Sequence, residues 1–197
     1  ELRGRGAKAI AETVDVSSGS SVRAMVDRVV AKLGRIDILI NNAGICPYTH
    51  FEEVTEEEWD RVLGINLKGI FLCSQAVLPA MKERGRGKIV NIASMDGRTG
   101  GKASSVHYAS SKAGVMGITR SMALHLGKYG VQVTAISPGV IETEMTASWS
   151  EEMKSSFLKQ CPAGRLGTVE DIAKVALFLC SGAADYLTGV VLDVTGG

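Results

Sequence analysis

Three side chains in this sequence have the types and spacing needed to move a proton to or from an oxygen on a carbon skeleton. Tyr108 and Lys112 lie four residues apart in a stretch, 108–128, that reads as a helix, so they share one face about a turn apart. A free phenol, with a pKa of about 10, is a poor base at neutral pH. An ammonium within about 4–6 Å favours the phenolate and brings that value down. A phenol tuned in this way can exchange a proton with an alcohol or carbonyl oxygen. Ser94 follows the run 88–93, which reads as a strand, and its hydroxyl is placed to hydrogen-bond the same oxygen. Tyr and Lys four apart are common on helix surfaces. The pair gains weight from Ser94 fourteen residues earlier and from Asn41-Asn42-Ala43-Gly44 at the end of the strand before that.

The elements that must position these groups alternate along the chain. Residues 7–16 read as a strand ending in Asp15-Val16. Residues 20–33 set Val22, Met25, Val26, Val29, Val30 and Leu33 on one helical face, closed by Gly34. The apolar run 36–40 is too short for a helix and is of the kind buried on both faces of a parallel sheet. Thr55 with Glu58 three residues on forms a capping box that opens a long helical region toward Met81. Residues 131–136 read as a strand, 168–179 as a helix capped by Thr168 and Asp171, and 190–194 as a last strand. This alternation implies right-handed crossovers, a parallel sheet and the α/β class. Ligands in such sheets sit at the carboxyl ends of the strands. Those ends carry Asp15, the Asn-Asn-Ala-Gly segment, Ser94 and Ser137-Pro138-Gly139, which together suggest one continuous site along a sheet edge.

Composition narrows the function classes. The chain has 197 residues, enough for one domain, of which 45% are hydrophobic and 22% charged, so disorder is not expected. A formal net charge of +1 shows no basic excess for nucleic acid. No apolar run approaches the roughly 18 residues needed to cross a bilayer, and the first residues do not look like a secretory signal. Cys46, Cys73, Cys161 and Cys180 are scattered without a Cys-x-x-Cys pair, so neither a disulfide framework nor a metal site is expected, and the reducing cytoplasm suits them. Glycine, at 23 residues against 4 prolines, points to many tight strand-to-helix turns.

Taken in order, the motifs resemble the classical short-chain dehydrogenase/reductase family. They are Asp15-Val16, Asn41-Asn42-Ala43-Gly44, Asn66 in Gly-Ile-Asn-Leu-Lys-Gly, Ser94, Tyr108-Ala-Ser-Ser-Lys112 and Pro138-Gly139-Val140-Ile141-Glu142-Thr143, with a matching tail through Tyr186-Leu187-Thr188-Gly189. The resemblance implies a single Rossmann-like domain over 1–197, a doubly wound parallel sheet in three α/β/α layers. It implies an oxidoreductase using NAD or NADP, with a tetrad of Asn66, Ser94, Tyr108 and Lys112. Tyr108 would be the general acid/base, and Ser94 would hold the substrate oxygen. Lys112 would lower the tyrosine pKa and bind the nicotinamide ribose, and Asn66 would anchor a water in a proton relay. Asp15 and Val16 would flank the adenine, Asn42, Ala43 and Gly44 would line the cofactor with Pro138 and Gly139, and Ile141 and Thr143 would meet the carboxamide. Each has an ordinary reading as well. Asn66 suits satisfying backbone groups in its helix region, Ser94 a strand-end turn and Asp15 a turn or cap, while His107, pointing off the Tyr108 face, suits a substrate contact or a structural role. Cys46, Pro47, Tyr48, Met95, Asp96, Met145 and Trp149 are expected near the substrate mouth as lining.

Two departures stand out. The Ser94-to-Tyr108 spacing is one residue longer than in many members, so the loop 96–105 is expected to shape the pocket. The family's glycine-rich phosphate turn, and the strand end that selects NAD or NADP, are expected before residue 1. Without them the sheet order 3-2-1-4-5-6-7 loses its central strand, and the strand at 36–40 is left with a bare apolar edge. The leading expectation is reduction of a ketone, or oxidation of a secondary alcohol, on a sugar, polyol or similar carbonyl compound. An alternative is a 3-oxoacyl-[acyl-carrier-protein] reductase, for which the basic segment 82–88 offers a face to an acidic carrier. A third reading is a non-catalytic dinucleotide-binding or partner-binding relative. A homotetramer or homodimer is expected, packed through the helices of Asn66 and Tyr108 and the last strand.

Overall fold

The computed structural model describes residues 4, 6–101, 104–147 and 149–197. Four parallel strands, β1 (Ile38–Asn41), β2 (Gly87–Ile92), β3 (Val131–Pro138) and β4 (Val191–Val194), lie in the order β1-β2-β3-β4. In-register pairs include Ile40 with Val90, Asn91 with Ala135 and Ile136 with Leu192. Because side chains alternate along a strand, each strand feeds two layers. Ile89, Val131 and Val133 meet Val26 of α1 (Gly19–Leu33), Val77 and Met81 of α3 (Gly69–Arg84), and Ala123 and Leu126 of α5 (Val106–Leu126). After β3 the chain forms α6 (Glu144–Ala147) and α7 (Glu151–Leu158), and on the opposite face Val90 and Ile136 meet Leu179 of α8 (Val169–Cys180). The result is the expected α/β/α sandwich.

Helix boundaries follow local chemistry. The Ser18 hydroxyl accepts the Ser21 N–H at the start of α1, and Gly34, at φ 84°, ends it in the left-handed conformation that glycine tolerates. Thr168 and Asp171 form a complete capping box on α8. The Thr55 box is only half made. Thr55 Oγ1 accepts the Glu58 N–H at the head of α2 (Glu56–Leu63), but the Glu58 carboxylate is drawn away to Thr49.

Three expectations are corrected. Residues 7–16 form no strand: a ladder needs a neighbour, and β1, at the sheet's edge, pairs only with β2 among the described residues. The run 36–40 is covered on one face only. Leu39 packs against the α1 and α3 side, whereas Ile38 and Ile40, 44% and 47% exposed, point to the face where α8 covers β2 and β3 but not β1. Finally, the helical run Glu56–Arg84 is long and apolar enough, by length and composition, to cross a membrane. Here it is a core element, with Val62, Asn66, Ile70, Val77 and Met81 buried.

A buried polar ladder ties strands to helices just beneath the carboxyl edge. Asn41 Nδ2 donates to Asn91 Oδ1 at 2.9 Å, Asn91 Nδ2 donates to Thr119 Oγ1 at 2.9 Å, and Thr119 Oγ1 donates to the Val115 carbonyl at 2.7 Å. Every link is satisfied, so the ladder fixes β1, β2 and α5 relative to one another.

Candidate active site

Ser94 is set by the continuation of β2 alongside β3. Ala93 N–H bonds the Ile136 carbonyl at 2.7 Å and Met95 N–H bonds the Pro138 carbonyl at 2.9 Å, so the residue between them is held from both sides. Its hydroxyl oxygen accepts the Asp96 N–H at 3.2 Å. The hydroxyl hydrogen is therefore left to donate to the Tyr108 phenol oxygen or, in its place, to a ligand oxygen. The same backbone then forms the short helix α4 (Asp96–Thr99), whose Gly97 lies directly on α5. A Cβ at Gly97 would stand 2.7 Å from Ala113 N and from the Lys112 carbonyl carbon.

Tyr108 and Lys112 occupy one face near the start of α5, with Lys112 Nζ 5.6 Å from the Tyr108 ring centroid. Lys112 is buried and donates to the Ile92 carbonyl at 2.8 Å, which leaves two more N–H donors. Burial pushes its pKa down to about 8. Burial also pushes the Tyr108 phenol up to about 12, with Cys46 and Asp96 adding to the rise and the Ser94 hydroxyl opposing it. This runs against the expected lowering of the tyrosine pKa: desolvation of the half-buried ring is the largest cause of the shift. Burial, with Asp96 beside it, likewise raises the Cys46 thiol to about 11.

Asn66 sits in a π-helical turn, Gly64–Lys68, between α2 and α3. Wholly buried, it accepts the Ile45 N–H on Oδ1 at 2.9 Å and donates from Nδ2 to the Ile45 carbonyl at 2.9 Å and to Ser111 Oγ at 3.1 Å. Ser111 Oγ in turn donates to the Tyr108 carbonyl at 2.7 Å. Both Asn66 donors are engaged, so its side chain works as a clamp between the segment after Gly44 and α5. Asp15 also carries its ordinary role, a turn in which Oδ1 accepts from Ser17 N and Oγ.

The expected dinucleotide can be tested against these groups. A Cβ at Gly44 would fall 3.3 Å from Asn66 Oδ1 and 3.7 Å from Lys112 Nζ, so the glycine keeps open backbone beside the free lysine donors. Asn42, Ala43 and Gly44 are exposed at the β1 end. Gly139 passes so near β4's exit that a Cβ would be 2.9 Å from Thr195 Cα. Beyond it, Thr146 Oγ1 bonds the Ile141 carbonyl and the Thr143 N–H, fixing that segment beside the site. An open, polar strand edge with an ammonium at its centre fits a nicotinamide nucleotide: Lys112 would hold ribose hydroxyls, and the 42–44 and 139–143 segments would flank it. Asp15 and Val16 lie beside the π turn that carries Asn66, with Val16 packed on Gly69. Among the described residues no group of His, Cys, Asp or Glu is arranged to hold a metal.

The lining was only partly foreseen. Cys46 and Asp96 lie near enough to Tyr108 to raise its pKa, and Trp149 stacks on Phe157 at 5.2 Å between ring centroids. The Met145 side chain and residues 102–103 of the loop 96–105 lie outside the described residues. Sequence reading did not identify Glu58, Thr49 and Ser105, which grip the 45–49 segment. A polar residue one position before the Tyr108 helix was the available signal for Ser105.

The comparisons with known proteins agree with this geometry. A family model described as "Enoyl-(Acyl carrier protein) reductase" matches residues 1–197. The 3-oxoacyl-[acyl-carrier-protein] reductase FabG of Thermotoga maritima is 40% identical over 197 residues, all of this chain and 80% of that protein. That of Chlamydia muridarum is 41% identical over 193 residues, 98% of this chain and 77% of that one. Among solved structures, a gluconate 5-dehydrogenase from Burkholderia cenocepacia in complex with NADP and tartrate superposes with a TM-score of 0.95 at 35% identity, covering 100% of this chain and 77% of that one. A 3-oxoacyl-[acyl-carrier protein] reductase from Brucella melitensis gives 0.93 at 37%, covering 100% and 74%. With the strand-end serine, the Tyr-x-x-x-Lys face and the open nucleotide edge in one fold, the chain belongs to the classical short-chain dehydrogenase/reductase family and is an NAD(P)-dependent oxidoreductase acting on CH–OH groups.

Proposed function

We propose that the protein reduces the ketone of a 3-oxoacyl thioester to the secondary alcohol, with Tyr108 as the proton donor. The observation that carries the chemistry is the convergence of Ser94, Tyr108 and Lys112 at the carboxyl ends of β2 and α5's first turns, with the phenol held neutral. The substrate class is supported by FabG relatives at 38–41% identity. When bound, the nicotinamide supplies the hydride. As the carbonyl carbon accepts it, negative charge develops on the oxygen, where the Ser94 hydroxyl donates a hydrogen bond and Tyr108 delivers its proton. Restoring the phenol is downhill from Lys112, whose pKa lies below that of Tyr108.

A second reading, a polyhydroxy acid or ketone, is favoured by the fit to the gluconate 5-dehydrogenase fold and by the place of the basic segment 82–88. That segment lies at the amino end of β2, six residues and roughly 20 Å of strand from Ser94. It is on the wrong edge to seat an acidic carrier over the site. We place the protein in the cytoplasm, where its four unbridged thiols are at home, and as a homo-oligomer.

A substrate panel with NADPH and NADH tests this. Acetoacetyl thioesters should turn over at least about tenfold faster in kcat/KM than gluconate-type acids or simple polyols, and the reverse order selects the second reading. Tyr108→Phe should abolish turnover of either while cofactor affinity stays within about twofold, since hydroxyl proton transfer is worth about 10²–10⁴ in rate. Unchanged turnover in that variant removes Tyr108 from the mechanism, and no turnover in the parent favours the non-catalytic reading.

A further inference from the structure

We propose that Glu58 and His107 form a substrate-positioning strut that holds the mouth segment 45–49 against the head of α5. The inference rests on Tyr108 being the proton donor named above. The segment leaves β1's end after Gly44 and carries Cys46 alongside Tyr108, Lys112 and Asp96. Three side chains from other elements grip it. Asn66 takes both the N–H and the carbonyl of Ile45. Ser105, at the N-cap of α5, caps nothing in its own helix. Its hydroxyl instead accepts the Thr49 N–H at 2.6 Å and donates toward the Pro47 and Thr49 carbonyls at 3.0 and 2.9 Å.

Glu58 supplies the third grip. From the first turn of α2 its Oε1 accepts the Thr49 hydroxyl at 2.9 Å, while Oε2 lies 3.5 Å from His107 Nε2. His107 is wholly buried, immediately precedes Tyr108, and has no hydrogen-bond partner on either ring nitrogen among the described residues. A buried imidazole nitrogen without a partner is costly, and the Glu58 carboxylate is the acceptor within reach. Glu58 Oε2 and His107 Nε2 stand at ion-pair distance, with no hydrogen bond formed between them. The chain Thr49–Glu58–His107 thus links the wall that carries Cys46 to the residue next to Tyr108. It sets the width of the passage through which a substrate chain brings its carbonyl to Tyr108 and Ser94. Glu58 and His107 touch neither the nucleotide edge nor the reacting oxygen, so the effect belongs to substrate binding.

Glu58→Leu, which removes both acceptors, should raise KM for the carbonyl substrate about tenfold, with kcat within about threefold and cofactor affinity unchanged. Glu58→Gln, which keeps an acceptor for Thr49 and a polar atom for His107, should restore KM to within about twofold of the parent. Thr49→Val touches only the far end of the strut and should raise KM in the same direction. Combined with Glu58→Leu it should add nothing, because both break one chain. Unchanged KM in folded Glu58→Leu, or independent effects that multiply, overturns the proposal. If Glu58→Leu fails to fold, Thr49→Val decides alone: a raised KM supports the strut and an unchanged one overturns it. Tyr108→Phe measured alongside separates the two readings. Retained turnover there removes the site and the strut together, whereas a dead Tyr108→Phe beside an indifferent Thr49→Val and Glu58→Leu removes only the strut.

Discussion

At the residue scale, burial sets the order of proton affinities: a phenol at about 12 above an amine at about 8. Tyr108 is then a neutral acid at every physiological pH, and the titration that matters is that of Lys112. Its ammonium exists below pH about 8 and is lost above it. In the reducing direction kcat/KM should fall as pH rises through about 8, and a profile flat to pH 10 would contradict this role. The same shift is readable without activity. Between about 8 and 10.4 the unfolded chain holds a proton on Lys112 that the folded chain lacks, so stability rises with pH across that window. Lys112→Met should abolish that increment in a pH series of denaturant unfolding. Tyr108, Lys112 and Ser94 were legible in the sequence because an i, i+4 pair and a strand-end serine are local patterns. His107 was singled out beside Tyr108, but its meeting with Glu58 and Thr49 was not legible. Their meeting depends on α2, the mouth segment and α5 packing together, and no spacing within any one of them announces it.

At the scale of elements, the site depends on how closely α4 seats on α5. Gly97 lies against the backbone of Lys112 and Ala113, and a Cβ there would stand 2.7–2.8 Å from three backbone atoms that cannot move aside. Gly97→Ala should therefore destabilise the protein by about 1–3 kcal/mol through overpacking. By shifting Ser94 relative to Tyr108 it should also lower kcat between about 10- and 100-fold. Thermal unfolding and steady-state kinetics on one preparation check both, and normal kcat in a destabilised variant would show that the seating does not set the geometry. Helices and strands whose signals are local were readable: α8 with its Thr168–Asp171 box, α1 between Ser18 and Gly34, and β2 and β3 within a residue or two. Residues 7–16 misled because strand propensity is realised only against a partner. The Thr55–Glu58 box misled because Glu58 had a stronger claim elsewhere. The α4 turn, 96–99, carries two glycines in five residues with Gly100 and gave no helical period to read.

At the scale of the whole molecule, two apolar surfaces lie on opposite layers of the sandwich. Phe71 on α3 and Leu124 on α5, 44% and 84% exposed, belong to the layer that carries the catalytic helix. Leu177 and Phe178 on α8, 72% and 40% exposed, and the fully exposed Tyr186 belong to the other. In the homo-oligomer proposed above, an interface on each layer would take its own two-fold axis, and the assembly would be a tetramer of dihedral symmetry. Sedimentation should accordingly give the mass of four chains. Leu124→Glu places a charge in one interface and should leave a dimer held through α8, while Tyr186→Glu with Leu177→Glu should leave the dimer held through α3 and α5. Only the combination should yield single chains. Because Tyr108 and Lys112 sit on the helix that Leu124 would anchor, Leu124→Glu should lower kcat, whereas the α8-side variants should keep it within about twofold. A parent that sediments as one chain would rule out both interfaces. A parent dimer abolished by Leu124→Glu alone would leave α8 exposed and assign the assembly to the catalytic-helix face.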